Sequence, residues 1–246
     1  MIKIILEFLF KIFFPKKEYK NKEILKPSRK KVEEEVKTPV HIPRYMWCLD
    51  NGHGKLTNGK RSPRFANGKQ LLEYEFNRDI VARITKALHR RGVLYYNVVP
   101  ETEIGNYLSG RVERVNNLDT ELPKMFVSIH ANAFGQGWTD PSGIETWYKN
   151  GSYESELAAQ IFQKHLIRHT GWVDRGLKTK SGKKEFFVLR KNTTTIITIL
   201  TENGFYSNKK ECRKLMQSKY RQQIADAHVD AIMEIEELGL LQLAFG

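Results

Sequence analysis

Cysteine is nearly absent from this chain: there are two, Cys48 and Cys212, in 246 residues. So few exclude a disulfide-stapled scaffold and a cysteine metal cluster, and both thiols are expected to serve as small buried hydrophobes. Long apolar runs are lacking as well. Residues 1–14 are apolar but interrupted by Lys3, Glu7 and Lys11, and they fall short of the roughly 20 residues that a spanning helix needs. The same stretch has no small-residue cleavage site, which makes it a poor secretion signal. Acidic residues are outnumbered, 28 against 41 basic ones, for a net charge of +13. That balance favours anionic partners. The basic residues are dispersed, however, and no nucleic-acid motif occurs, so no nucleic-acid partner is expected.

What is present divides into three parts. On a helix, Lys3, Glu7 and Lys11 form one narrow polar stripe on an otherwise apolar surface, and Pro15, Lys16 and Lys17 follow. This predicts an amphipathic segment over residues 1–14, with membrane-surface contact through residues 1–17. A degenerate signal or a helix docked on the domain are the alternatives. Residues 15–43 form a charged linker, rich in Lys and Glu and carrying Pro27, Pro39 and Pro43. Residues 44–240 are expected to form a single catalytic domain. With 40% hydrophobic and 28% charged residues, the chain has the composition of a soluble globular protein.

Within that domain, strands are predicted over 45–50, 93–99, 125–129, 144–148, 186–189 and 195–201. Helices are predicted over 71–91, with Gly92 as C-cap, and over 110–118, 153–169 and 211–237. Residues 173–184 read as a basic loop. Alternating strands and helices imply an α/β fold, a doubly wound and mostly parallel sheet flanked by helices.

Four residues with chemistry to offer fall at strand ends or a helix start. His53 follows the first strand, His130 ends a β-branched apolar run, and Glu202 ends the strand at 195–201, which is entirely β-branched or Leu. Glu73 opens the first long helix, with Glu75 as its rival. Ligands of open α/β sheets collect at the carboxyl ends of strands. Two imidazoles and one carboxylate form the ligand set of a catalytic zinc, which leaves a position open for water. A further Glu within reach of that water would carry the proton, so metal-assisted hydrolysis of an amide or ester is implied. His165 and His169 stand four apart on a helix but lack the Glu of a zincin motif, and read as surface residues.

Four blocks carry a resemblance. Residues 49–54 (LDNGHG), 73–77 (EYEFN), 126–133 (FVSIHANA) and 201–208 (TENGFYSN) are similar, in order, to the motif set of zinc-dependent N-acetylmuramoyl-L-alanine amidases. The resemblance covers about 45–235. It implies the phosphorylase/hydrolase-like α/β fold, Zn2+ held by His53, Glu73 and His130, and Glu202 as catalytic acid/base. The substrate it implies is peptidoglycan, cut between the muramoyl lactyl group and L-alanine of the stem peptide. The place of action would be the cell envelope, in a host enzyme or in a phage lysis enzyme. Lys55 stands where a second glycine often follows, and 99–102 replace the Thr–Arg pair usual after the second strand. Both departures bear on substrate contacts rather than on the metal. Between Tyr148 and Tyr153 there is no room for the zinc-blocking helix of some division amidases, so an open site is expected. Two rivals remain. One is a zinc carboxypeptidase of the same fold, using Arg111, Arg114, Arg175 or Arg190 for a terminal carboxylate. The other is a non-catalytic binder of anionic wall polymer.

Overall fold

The computed structural model describes residues 41–240. The expectations for residues 1–17, and for the linker up to residue 40, lie outside them. The chain runs β1 (Met46–Asn51), α1 (Glu73–Arg91), β2 (Tyr95–Asn97), α2 (Leu108–Asn116), β3 (Lys124–Asn132) and β4 (Ile144–Tyr148). It continues with α3 (Tyr153–Thr170), β5 (Asp174–Lys178), α4 (Phe187–Lys191), β6 (Ile197–Phe205), α5 (Lys209–Leu215) and α6 (Ser218–Leu238).

Side-chain alternation explains how these elements stack. Trp47 and Leu49 of β1 join Met125, Val127 and Ile129 of β3 in one apolar cluster, while Cys48 and Phe126 join a second. Successive residues of a strand face opposite sides, so apolar residues in both sets mean a sheet covered on both faces. Helices α1, α3 and α6 supply the first cluster, and α2 and α4 the second. The strand order is β2-β1-β3-β6-β4-β5. Strands β2, β1, β3 and β6 are mutually parallel, β4 is antiparallel to β6, and β5 is parallel to β4. This is the doubly wound, mostly parallel α/β sheet expected, with an inverted pair at one edge. The connections leaving β1 and β3 diverge, so the crevice between those strand ends is a topological switch point, where such folds bind ligands.

Three local expectations are corrected. Residues 186–189 are not a strand: Phe187–Lys191 is a short helix, whose Val188 and Leu189 fill the second cluster. A four-residue apolar run has no period with which to tell the two apart. The supposed basic loop contains β5, an edge strand with half-exposed residues, and charge is how a sheet edge is kept from pairing further. The closing helix is two helices, broken at Met216–Gln217. Both cysteines are buried; burial pushes the Cys48 thiol up to about 12 and raises that of Cys212.

A histidine inside the first cluster gives the fold a pH dependence. His228 of α6 is fully buried, donates from Nδ1 to the Ile224 carbonyl at 2.7 Å, and has Nε2 3.0 Å from the Thr201 hydroxyl. Burial holds its pKa down to about 4. The unfolded chain, with an ordinary histidine near 6.5, therefore binds the extra proton first as pH falls. Stability is complete above about pH 6.5 and declines towards pH 4. Between pH 7 and pH 5 the expected loss is about 2 kcal/mol, and it should vanish from urea unfolding curves of His228→Gln.

Candidate metal centre and active site

The site is built on the turn that leaves β1. Gly52 has no side chain because none fits: a Cβ there would stand 2.0 Å from the His130 ring. His53 follows with φ of 63°, the left-handed region that a histidine enters only when its surroundings hold it there. Three residues supply that hold, one of them Arg78 of α1, which donates to the His53 carbonyl at 3.0 Å. Asn77, one turn along α1 from Glu73, donates to the Gly52 carbonyl at 2.9 Å. Arg111 of α2, 1% exposed, donates to the carbonyls of Asn51, His53 and Asn106 at 3.1, 2.9 and 2.7 Å and is paired with Asp50.

Glu73 begins α1 with its main-chain N–H on the Lys60 carbonyl, and its side chain is buried. One carboxylate oxygen, Oε1, is 3.0 Å from His130 Nδ1 and 3.4 Å from His53 Nε2. Each ring is tied from behind. His53 Nδ1 donates to Asn106 Oδ1 at 2.6 Å. His130 Nε2 donates to Ser128 Oγ at 3.1 Å, and the Ser128 hydroxyl donates in turn to Asp50 at 2.5 Å. With those outer nitrogens protonated, the neutral rings turn His53 Nε2 and His130 Nδ1 towards the carboxylate as lone pairs. Three electron-pair donors facing one point are what a cation requires, and backing of this kind fixes the tautomer of metal-binding histidines. Two nitrogens and a carboxylate oxygen suit zinc. Burial alone would raise the Glu73 pKa; where the facing ring nitrogens carry protons in place of a cation, their hydrogen bonds from His130 and His53 outweigh it and hold the carboxyl well below the usual range. Burial lowers the pKa of His130.

Glu202 is part of β6, which continues to Phe205, rather than its last residue; it lies beside His130 of β3 and Glu145 of β4. Its Oε2 is buried with no hydrogen-bond partner. Burial, with Glu73 and Glu145 adding to it, raises its pKa well above the carboxylate range, and Lys60 opposes them. Glu145 is committed elsewhere, to Arg175, Asn132 and the Trp147 indole. His53, Glu73, His130 and Glu202 all line one cleft of about 360 Å³.

Glu75 is exposed and accepts a hydrogen bond from the Tyr74 hydroxyl, so it stands apart from this cluster. Of the four arginines considered for a terminal carboxylate, only Arg111 lines the cleft, and its guanidinium is already occupied. Arg114 is paired with Glu101 and Arg175 with Glu145. His165 is not a surface residue: it is 5% exposed, between α3 and α6. Sequence reasoning missed Asn106, Asp50, Ser128 and Glu145. For Asp50 and Ser128 a signal existed, since both are polar residues inside otherwise apolar strands; for Asn106, in a loop, there was none.

Fold and cleft thus define an α/β domain with a His–Glu–His cluster and an unpartnered Glu at a switch point. The family described as N-acetylmuramoyl-L-alanine amidase matches residues 48–234, and this chain belongs to it. N-acetylmuramoyl-L-alanine amidase LytC of Bacillus subtilis (strain 168) is 32% identical over 200 residues, covering 80% of this chain and 36% of that protein. The endolysin of Bacillus phage SPP1 is 30% identical over 203 residues, covering 80% and 68%. Among solved structures, the N-acetylmuramoyl-L-alanine amidase from Clostridium difficile 630 superposes with a TM-score of 0.68 at 27% identity, covering 79% of this chain and 98% of that one. The chain therefore spans about a third of the length of LytC and nearly all of the solved amidase.

Proposed function

We propose that residues 44–240 hydrolyse the amide between the muramoyl lactyl group and L-alanine of peptidoglycan stem peptides, acting at the cell wall. In this reading His53 Nε2, His130 Nδ1 and Glu73 hold a zinc ion. The observation that carries it is the convergence of two backed imidazole lone pairs and one carboxylate oxygen beside an unpartnered Glu202. A bound zinc supplies a Lewis acid for the scissile carbonyl and lowers the pKa of water towards about 7. The chain's own part in the chemistry is proton transfer. Glu202 Oε2 has no competing partner, so it is free to take a proton from the attacking water. Its raised pKa suits it to accept and hold that proton until the more basic nitrogen of the departing L-alanine takes it. Asn106, Ser128 and Asp50 keep the two rings aimed while charge develops. The link between β4 and α3, residues 149–152, carries no inserted helix, so turnover is expected without an activating partner.

Purified peptidoglycan should release fragments with free lactyl ends and stem peptides starting in L-alanine. Chelation should abolish release and zinc should restore it. Zinc-dependent cuts within the peptide would support the peptidase reading instead. Retention on the wall without cutting would leave only a binder.

A further inference from the structure

On the face where α3 packs against α6, four residues meet that the amidase chemistry does not use. His165 and His169, one turn apart on α3, face Glu234 and Asp230, one turn apart on α6. The His165 Nε2–Glu234 distance is 2.5 Å and the His169 Nε2–Asp230 distance is 2.8 Å. One ring nitrogen of each histidine and an oxygen of Asp230 lie within 4.8 Å of one another. None of the four lines the catalytic cleft. Glu234 accepts a hydrogen bond from His165 Nε2, and the other ring nitrogen, Nδ1, is buried without a hydrogen-bond partner. A buried imidazole left half-satisfied is costly, and a cation on the cluster repays that cost.

We infer that His165, His169 and Asp230 form a second metal site, for a borderline dication such as Zn2+, that clamps α3 to α6. Histidines four apart on one helix chelate from a single face, and a carboxylate from a facing helix completes a three-ligand set with room for water. Glu234 does not join the set, because Lys164 holds both of its oxygens at 2.5 and 2.8 Å; it orients His165 through Nε2. Arg90 and Arg91 line the groove that His169 and Asp230 border, so this site binds more weakly than the buried cluster at the sheet edge.

The test is zinc binding by the full chain, read by calorimetry and by metal analysis after dialysis. Wild-type protein should take up two equivalents, one tight and one weaker. His169→Ala and Asp230→Asn should each weaken the second at least tenfold and leave the first intact. Both side chains reach solvent, so these variants should fold. His130→Ala should remove the tight equivalent alone, and zinc should still raise its melting temperature, an effect that adding His169→Ala abolishes. Two equivalents retained in His169→Ala, or a single one in wild type that His130→Ala removes, would overturn the second site. Neither result touches the amidase reading.

Discussion

Glu202→Gln lowers kcat on peptidoglycan by about a hundred- to ten-thousand-fold, the usual worth of a positioned acid/base, while zinc content stays at the wild-type level. The substitution keeps the shape of the side chain and removes only its capacity to exchange a proton. It should not weaken the fold, because Oε2 has no hydrogen-bond partner to lose. Nor does the site favour a charge there: burial, Glu73 and Glu145 all oppose it. An amide can instead donate to the neighbouring carboxylates. Three readouts separate the possibilities. Lost turnover with unchanged zinc and melting temperature assigns the proton transfer to Glu202. Lost zinc would mean that Glu202 acts through the ligands. Unchanged turnover would place proton transfer on another group.

Arg111→Met lowers folding stability by about 3–5 kcal/mol, the cost of breaking a buried ion pair, and weakens zinc binding about 10–100-fold, as loss of a ligand's support does. Asp50 is 1% exposed and would be left as an unpaired buried anion. The carbonyls of Asn51, His53 and Asn106 would lose their shared donor, and with it a large part of the hold on His53 at positive φ, leaving Arg78 and Asn77 to supply the rest. Methionine preserves the apolar stem, so lost packing is not the cause. Arg111→Lys should recover little, since one ammonium cannot serve four acceptors in a planar fork. Asp50→Asn added to Arg111→Met should restore part of the stability by removing the stranded charge. Denaturant unfolding and zinc titration of the three variants decide it. An Arg111→Met protein with wild-type stability would show that water already satisfies Asp50.

The residues that strands deliver to the cleft were legible because strands announce themselves. An apolar, β-branched run that stops at a histidine or glutamate says where that side chain emerges; His130 and Glu202 arrive in this way, and His53 on the glycine-flanked turn just after an apolar strand. Glu73 was harder, being one of two acids in a first turn where either could simply offset the helix dipole. Its burial, and the exposure of Glu75, come from how α1 is rotated against the sheet. The supports behind the ligands were illegible for a related reason. Asp50 and Arg111 are 61 positions apart, and Asn106 sits in a loop 53 positions from His53. Only tertiary packing brings these together, and no local period encodes them. His165 was misjudged on the same ground, since the burial of a residue on α3 depends on α6, which a reading of one helix at a time does not see.

Glu236 near the end of α6 accepts from the Trp47 indole at 2.6 Å and from the Arg44 amide at 2.7 Å, with His41 at 3.2 Å, and the Leu240 amide donates to the Tyr45 hydroxyl at 3.1 Å. The first and last residues of the domain are therefore fastened together where β1 starts, at the amino edge of the sheet. The cleft opens at the other edge, about 20 Å away along a six-residue strand. Anything joined to either end of the domain is joined on the side away from the cleft. Both ends of the described domain therefore lie clear of the cleft's mouth, so a segment attached at either point does not start at the site. That arrangement accords with a catalytic module that spans nearly all of one relative and about a third of another.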